Sequence, residues 1–130
     1  MVRSPSDEIL ELLVDYDRVV EVGIGRDTAL AAALVERGVS VTATDLYERT
    51  VPAGVTFVVD DVTDPDYEIY ADADAIVARR LPPELQRPAA DVAREVDADL
   101  YFTTLGADPA IVPAAVQQTT HGPVFVVTRK

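Results

Sequence analysis

The sequence predicts an α/β fold, a three-layer α/β/α Rossmann-like sandwich whose mostly parallel sheet has about six strands. Three observations predict it. Short Val- and Ala-rich apolar runs, too brief for helices, alternate with segments whose apolar residues recur at helical spacing. A Gly-x-Gly turn joins the first such run to an Ala- and Leu-rich segment. The chain has 130 residues, 48% of them hydrophobic, and no Cys, which suits one core without disulfide or metal staples. Residues 1–130 are therefore read as a single Rossmann-like domain.

The elements follow in order. Ser4 to Tyr16 opens with Ser and Pro5 and sets Ile9, Leu10, Leu13 and Val14 on one helical face. Asp7 and Glu8 stand where a helix N-terminus favours negative charge. Arg18 to Val22 is a buried strand, and Thr28 to Arg37 a helix closed by Gly38. Strands follow at Val39–Thr44, Thr56–Val59, Ala73–Ala78 and Asp99–Thr104. Pro83 to Val96 carries Leu85, Ala89, Val92, Ala93 and Val96 at helical spacing, with Pro88 expected to kink or restart it. Val124 to Thr128 is a sixth strand. Gly106 to Gly122, holding Pro109 and Pro113, reads as a long loop with one helical turn.

Composition narrows the function. There are 23 acidic and 11 basic side chains, a formal net charge of −12, which repels nucleic acid and anionic membranes. Ten of the basic residues are Arg, and Lys130 is the only Lys. This acidic, Lys-poor balance resembles proteins of halophilic archaea, where molar salt shortens the screening length to about 3 Å. No apolar run of membrane-spanning length and no signal-peptide pattern occurs, so a cytoplasmic location is expected. With no Cys and a lone His121, read as an ordinary loop residue, no thiolate or imidazole metal site is expected and no metal ligand is assigned, while a site of carboxylates alone stays open. The Asp60 to Asp66 cluster lacks the Gly and Glu of a calcium loop and reads as acidic surface.

In a parallel sheet, ligands bind beyond the carboxyl ends of the strands at the topological switch point. The residues there are Glu21 to Asp27, Asp45, Asp60 with Asp61, and Arg79 with Arg80. Gly23 and Gly25 permit a tight turn and close approach of a ligand. Asp45, 20 residues beyond Gly25, can accept from both hydroxyls of a ribose. Asp27 stands where a pyrophosphate would rest on the helix amides, disfavouring a dinucleotide and favouring a ligand with an ammonium group. With Thr28, Asp27 also reads as a helix cap. Glu21 adds a second carboxylate. Arg79 and Arg80 are anion-binding candidates, since paired guanidiniums can grip a carboxylate or phosphate; they can equally neutralise neighbouring acids.

Glu21-x-Gly23-x-Gly25 followed by Asp45 resembles the first two motifs of class I S-adenosylmethionine-dependent methyltransferases. Asp61, in Phe57-Val58-Val59-Asp60-Asp61, matches the third-strand acid of that family. The resemblance implies that the glycine turn accommodates the methionine part, that Asp45 binds ribose and that Asp61 meets the adenine amino group. The short length and the Arg79-Arg80-Leu81-Pro82-Pro83-Glu84-Leu85-Gln86 stretch are similar to a small uncharacterised archaeal family of truncated methyltransferase-like Rossmann domains. Departures are visible. Asp27 replaces the third glycine, Leu81-Pro82-Pro83-Glu84 replaces the amino-acceptor motif, and no room is expected for the usual seventh-strand hairpin.

The expected ligand is S-adenosylmethionine or a related adenine nucleoside. The domain then reads as a methyltransferase or a methyltransferase remnant, and no residue presents itself as catalytic. An NAD- or nucleotide-binding domain, and a non-catalytic partner subunit that keeps only the fold, stay open as alternatives. The acceptor side is expected to be uncovered unless a homodimer or a protein partner closes it, with Ile111 and Val112 of the Gly106–Gly122 segment at the contact.

Overall fold

The computed structural model describes residues 4–129; Met1, Val2, Arg3 and Lys130, the lone lysine, lie outside the described residues. The first helix, α1 (Pro5–Leu13), starts where the sequence supplies its cap. The Ser4 hydroxyl accepts from the Asp7 amide at 3.1 Å, and the Asp7 carboxylate accepts from the Ser4 amide at 3.1 Å. This reciprocal box satisfies two of the amides that a helix start leaves bare. The order continues β1 (Arg18–Val22), α2 (Ala29–Glu36), β2 (Ser40–Asp45), β3 (Val55–Val59), α3 (Tyr67–Tyr70), β4 (Ala75–Ala78), α4 (Pro83–Val96), β5 (Asp99–Phe102), β6 (Ala115–Thr119) and β7 (Gly122–Val127).

The seven strands form one sheet in the order β3-β2-β1-β4-β5-β7-β6. The first five are mutually parallel, and β7 runs antiparallel to both β5 and β6. Strand order reverses between β1 and β4, so the switch point lies where Glu21 pairs with Val77 and Val22 with Ala78. Successive strand side chains point to opposite faces. Val20, Val22, Ile76, Leu100 and Phe102 pack with Ala89 and Val92 of α4, while Val19, Val41 and Val77 pack with Leu13 of α1 and Leu30 and Leu34 of α2. Two apolar layers, one on each face of the sheet, make the three-layer sandwich that the alternating pattern predicts.

Three expectations need correction. The hairpin for which no room was expected is present: Ala115–Thr119 forms β6 and returns through Gly122 into β7. Four of the five β6 residues are exposed, so this edge strand carries no alternation of apolar and polar residues from which to read it. Of the two outcomes expected at Pro88, a restart is absent: α4 runs unbroken from Pro83 to Val96, and Pro88 withholds one amide from the Glu84 carbonyl. Val112 does not face outward. It is buried in the α4-side core, whereas its neighbour Ile111 is 55% exposed.

The Gly106–Gly122 segment is held by a residue that carried no signal in the sequence. Gln86 of α4 is fully buried; its amide donates to the Pro109 carbonyl at 3.1 Å and its carbonyl accepts from the Ile111 amide at 2.6 Å. A buried amide side chain bonded on both ends replaces the backbone partners that an irregular segment lacks.

Candidate functional site

The turn after β1 needs its glycines. Gly23 has φ +69° and Gly25 φ +60°, left-handed values that strain a residue bearing a Cβ. The Gly23 and Ile24 amides both donate to the Thr44 carbonyl at 2.9 and 3.0 Å, drawing the turn against the end of β2. The Gly25 amide donates to Asp45 Oδ2 at 2.8 Å, and the Tyr47 amide to Asp45 Oδ1 at 3.2 Å. Asp45 therefore receives one backbone donor on each carboxylate oxygen, with Arg49 Nε 3.5 Å from Oδ2. Burial pushes the Asp45 carboxyl up, but the Gly25 and Tyr47 amides and the Arg49 guanidinium together outweigh it and leave it below its ordinary value.

Glu21, one strand away, has a different environment. Its side chain is 1% exposed, and both Nε and Nη2 of Arg79 donate to the same oxygen, Oε2, at 3.1 and 2.9 Å. Oε1 is buried without a hydrogen-bond partner. Burial pushes the Glu21 carboxyl up to about 7, the nearby Asp27 charge acting in the same direction and the Arg79 guanidinium against it.

Arg79 also donates to Ser6 Oγ at 3.3 Å, to Asp27 Oδ2 at 3.3 Å and to the Asp27 carbonyl at 2.8 Å. All five donors of the guanidinium are engaged. Of the two roles the sequence leaves open, the structure assigns Arg79 the neutralising one: it straps the glycine turn to β1, β4 and α1. Asp27, one residue before the N-cap of α2, accepts from the Ala29 amide at 3.2 Å through its Oδ1. That bond, with Arg79 beside it, holds the Asp27 carboxyl below its usual range despite partial burial. Thr28, at the cap position itself, makes no side-chain cap bond.

At the end of β3, two adjacent acids diverge. Asp60 accepts from the Tyr70 hydroxyl at 2.8 Å and the Asp66 amide at 3.0 Å, anchoring α3. Asp61 is exposed and accepts only locally, from the Thr63 hydroxyl at 2.7 Å and the Thr63 amide at 2.9 Å, bonds that lower its carboxyl. At the ends of β2 and β3, Leu46, Tyr47 and Val59, the last paired with Asp45 across the strands, are 57%, 69% and 53% exposed. Gly25 is bonded directly to Asp45, Gly23 to Thr44 just before it, and Glu21 reaches the same turn only through Arg79 and Asp27. Asp61 stands beyond these residues, past the neighbouring strand.

A cavity of about 470 Å³ opens on the other side of the strap, among the start of α1, the turns after β4 and β5, and the β6–β7 hairpin. Arg79, Arg80 and Asp27 line it, as does His121. His121 is more than a loop residue. Its Nδ1 lies 2.6 Å from Glu8 Oε1, and Glu8 also accepts from the Thr120 amide and hydroxyl at 3.0 and 2.7 Å, tying the hairpin tip to α1. The Thr120 hydroxyl bond, then the His121 bond, pull the Glu8 carboxyl down to about 2. The hairpin walls part of the face expected to be uncovered. Among the described residues no group of three potential metal ligands converges, and no helix is long and apolar enough to cross a membrane.

Comparison with known proteins agrees with this architecture. An RNA methyltransferase from Salinibacter ruber, solved in complex with S-adenosyl-L-homocysteine, superposes with a TM-score of 0.70 at 17% identity, covering 98% of this chain and 94% of that one. The fold is therefore that of the methyltransferase-like Rossmann domains. A protein of Halobacterium salinarum is 50% identical over 121 residues, 93% of this chain and 94% of its own. One of Archaeoglobus fulgidus is 50% identical over 91 residues, 70% of each chain. Both carry the same family designation, and the model of that family matches residues 4–130. The chain belongs to the uncharacterised protein family UPF0146, whose relatives here are archaeal and include a haloarchaeal protein.

Proposed function

We propose that the domain binds S-adenosylmethionine or its demethylated product, with the adenosine part lying over the ends of β2 and β3. The observation that carries this reading is Asp45. A carboxylate offers about four acceptor positions; the Gly25 and Tyr47 amides use one on each oxygen, and Arg49 Nε stands 3.5 Å from Oδ2 without a hydrogen bond, which leaves acceptor capacity for the hydroxyls of a ribose. Exposed Leu46 and Tyr47 supply an apolar shelf beside it, and exposed Asp61 an acceptor for an exocyclic amino group. Apolar surface bounded by two acceptors suits a nucleoside, whose flat base carries an amino donor at one end and whose sugar carries hydroxyl donors at the other.

The same geometry disfavours a dinucleotide. The Gly25 amide is already bonded to Asp45 and the Ala29 amide to Asp27, so donors that would cradle a pyrophosphate face carboxylates instead. Calorimetric titration with S-adenosylhomocysteine and, separately, NAD tests the reading. Saturable binding of the first and none of the second is expected. NAD binding alone would replace this reading with the dinucleotide one, and no binding of either would favour a partner subunit that keeps only the fold.

A further inference from the structure

The cavity beside the strap has features that the nucleoside reading does not use. Its volume of about 470 Å³ falls in the range of small-molecule sites. Ile9, Pro123 and Val124 give it apolar walls. Of the two arginines that line it, Arg79 has every donor engaged, whereas the Arg80 guanidinium pairs with no carboxylate among the described residues. Asp27, the acid on the cavity wall, is paired by Arg79 at 3.3 Å, and the more distant Arg80 charge acts on it in the same direction.

Arg80 is also held in an unusual conformation. Its φ is +53°, a left-handed value that a side-chain-bearing residue rarely adopts. Two bonds to the end of β5 maintain it: the Arg80 amide donates to Thr103 Oγ1 at 2.8 Å and the Leu81 amide to the Thr103 carbonyl at 2.8 Å. Backbone strain of this kind persists where surrounding structure over-determines it, and it is concentrated at ligand sites. In a chain with a net charge of −12, two adjacent guanidiniums, one of them without an ion-pair partner within 4 Å among the described residues, line a single partly apolar cavity.

We propose that this cavity binds a small organic anion, its apolar body against Ile9, Pro123 and Val124 and its carboxylate or phosphate on the Arg80 guanidinium. A planar fork of donors matches either oxyanion. The site stands on its own geometry and does not require that a nucleoside occupy the glycine-turn side.

NMR titration of the whole chain with benzoate, phenyl phosphate and neutral benzamide, at one fixed ionic strength, tests it. At least one anion should give saturable shifts at the Arg80, Thr103 and Val124 amides and outbind benzamide by about tenfold, the scale of one charge-assisted contact. The tighter of the two anions identifies carboxylate or phosphate as the group recognised. Arg80→Gly should abolish that preference without loss of melting temperature, because glycine is at ease at this φ. The proposal is overturned if neither anion outbinds benzamide, or if the preference survives Arg80→Gly. S-adenosylhomocysteine titrated separately should move Gly25 and Tyr47 instead; its failure to do so would remove the nucleoside reading and leave the anion site standing.

Discussion

Glu21 and Asp45 lie near the carboxyl ends of neighbouring parallel strands, both carboxylates are nearly buried, and their acidities move in opposite directions. At Glu21 burial prevails. One guanidinium serves a single oxygen and leaves the other bare, so the carboxyl rises to about 7. At Asp45 the donors prevail, one backbone amide meeting each oxygen with Arg49 nearby. What differs is the source of the donors. Backbone amides of the glycine turn are fixed by the fold and leave acceptor positions over, whereas the Arg79 side chain closes upon Glu21 and is itself fully engaged. The first arrangement leaves the acceptors that the proposed nucleoside would use; the second holds the turn in place.

The largest expected effect comes from breaking the Glu21 side of this contrast. Arg79→Ala leaves a buried carboxylate unpaired and should lower unfolding free energy by about 3–5 kcal/mol in denaturant titrations at pH 8. Converting both partners to Leu should recover most of that loss, since no buried charge then remains. Asp45→Ala should instead act on the ligand, weakening S-adenosylhomocysteine binding by about 1.5–3 kcal/mol in calorimetry while the chain stays folded. A loss of the same size in both variants and both measurements would erase the distinction between strap and ligand site.

Acid–base behaviour sharpens the comparison further. Because the Glu21 carboxyl is raised from 4.5 to about 7 in the folded chain, its contribution to stability is fully present below 4.5 and is lost as pH rises through about 7. Wild-type stability measured across that window should therefore fall relative to Glu21→Gln, in which nothing titrates at this position. Glu8 has the opposite sign: lowered to about 2, it stabilises above 4.5 and loses that contribution as pH falls through about 2. The protection of the Thr120 amide, its exchange relative to an unfolded reference at the same pH, should fall over that acid range. The smallest difference between variants concerns salt. Melting temperature should rise from low to molar salt through screening of surface carboxylates, and by a similar increment in wild type and Arg79→Ala, because the buried pair is screened little.

Much of this was legible along the chain. Strand ends at Val22 and Val59, the start of α4 at Pro83 and its end at Val96 coincide with their sequence boundaries, because apolar runs bounded by Gly, Pro and Asp state both period and limits. The glycine turn and Asp45 were legible for a similar reason, since a residue 20 positions on, at the end of the next strand, is brought beside the turn by any right-handed β-α-β unit. The β6 strand was not legible, because an exposed edge strand buries too little to pattern its residues. Gln86 looked like an ordinary helix residue until the chain that it bonds, 23 to 25 positions later, lay against it.

The sequence by itself determined the class of fold, the acidic surface and the identity of the turn, all of which depend on local period, composition and short spacing. Only the tertiary structure decided which of two adjacent arginines is engaged. Arg79 meets Glu21 58 residues away and Asp27 52 away, while Arg80, one position on, faces a cavity that α1 and the β6–β7 hairpin wall from opposite ends of the chain. Neighbouring residues separated by one backbone step point in different directions, and what each side chain meets is set by packing between distant elements rather than by the sequence around it.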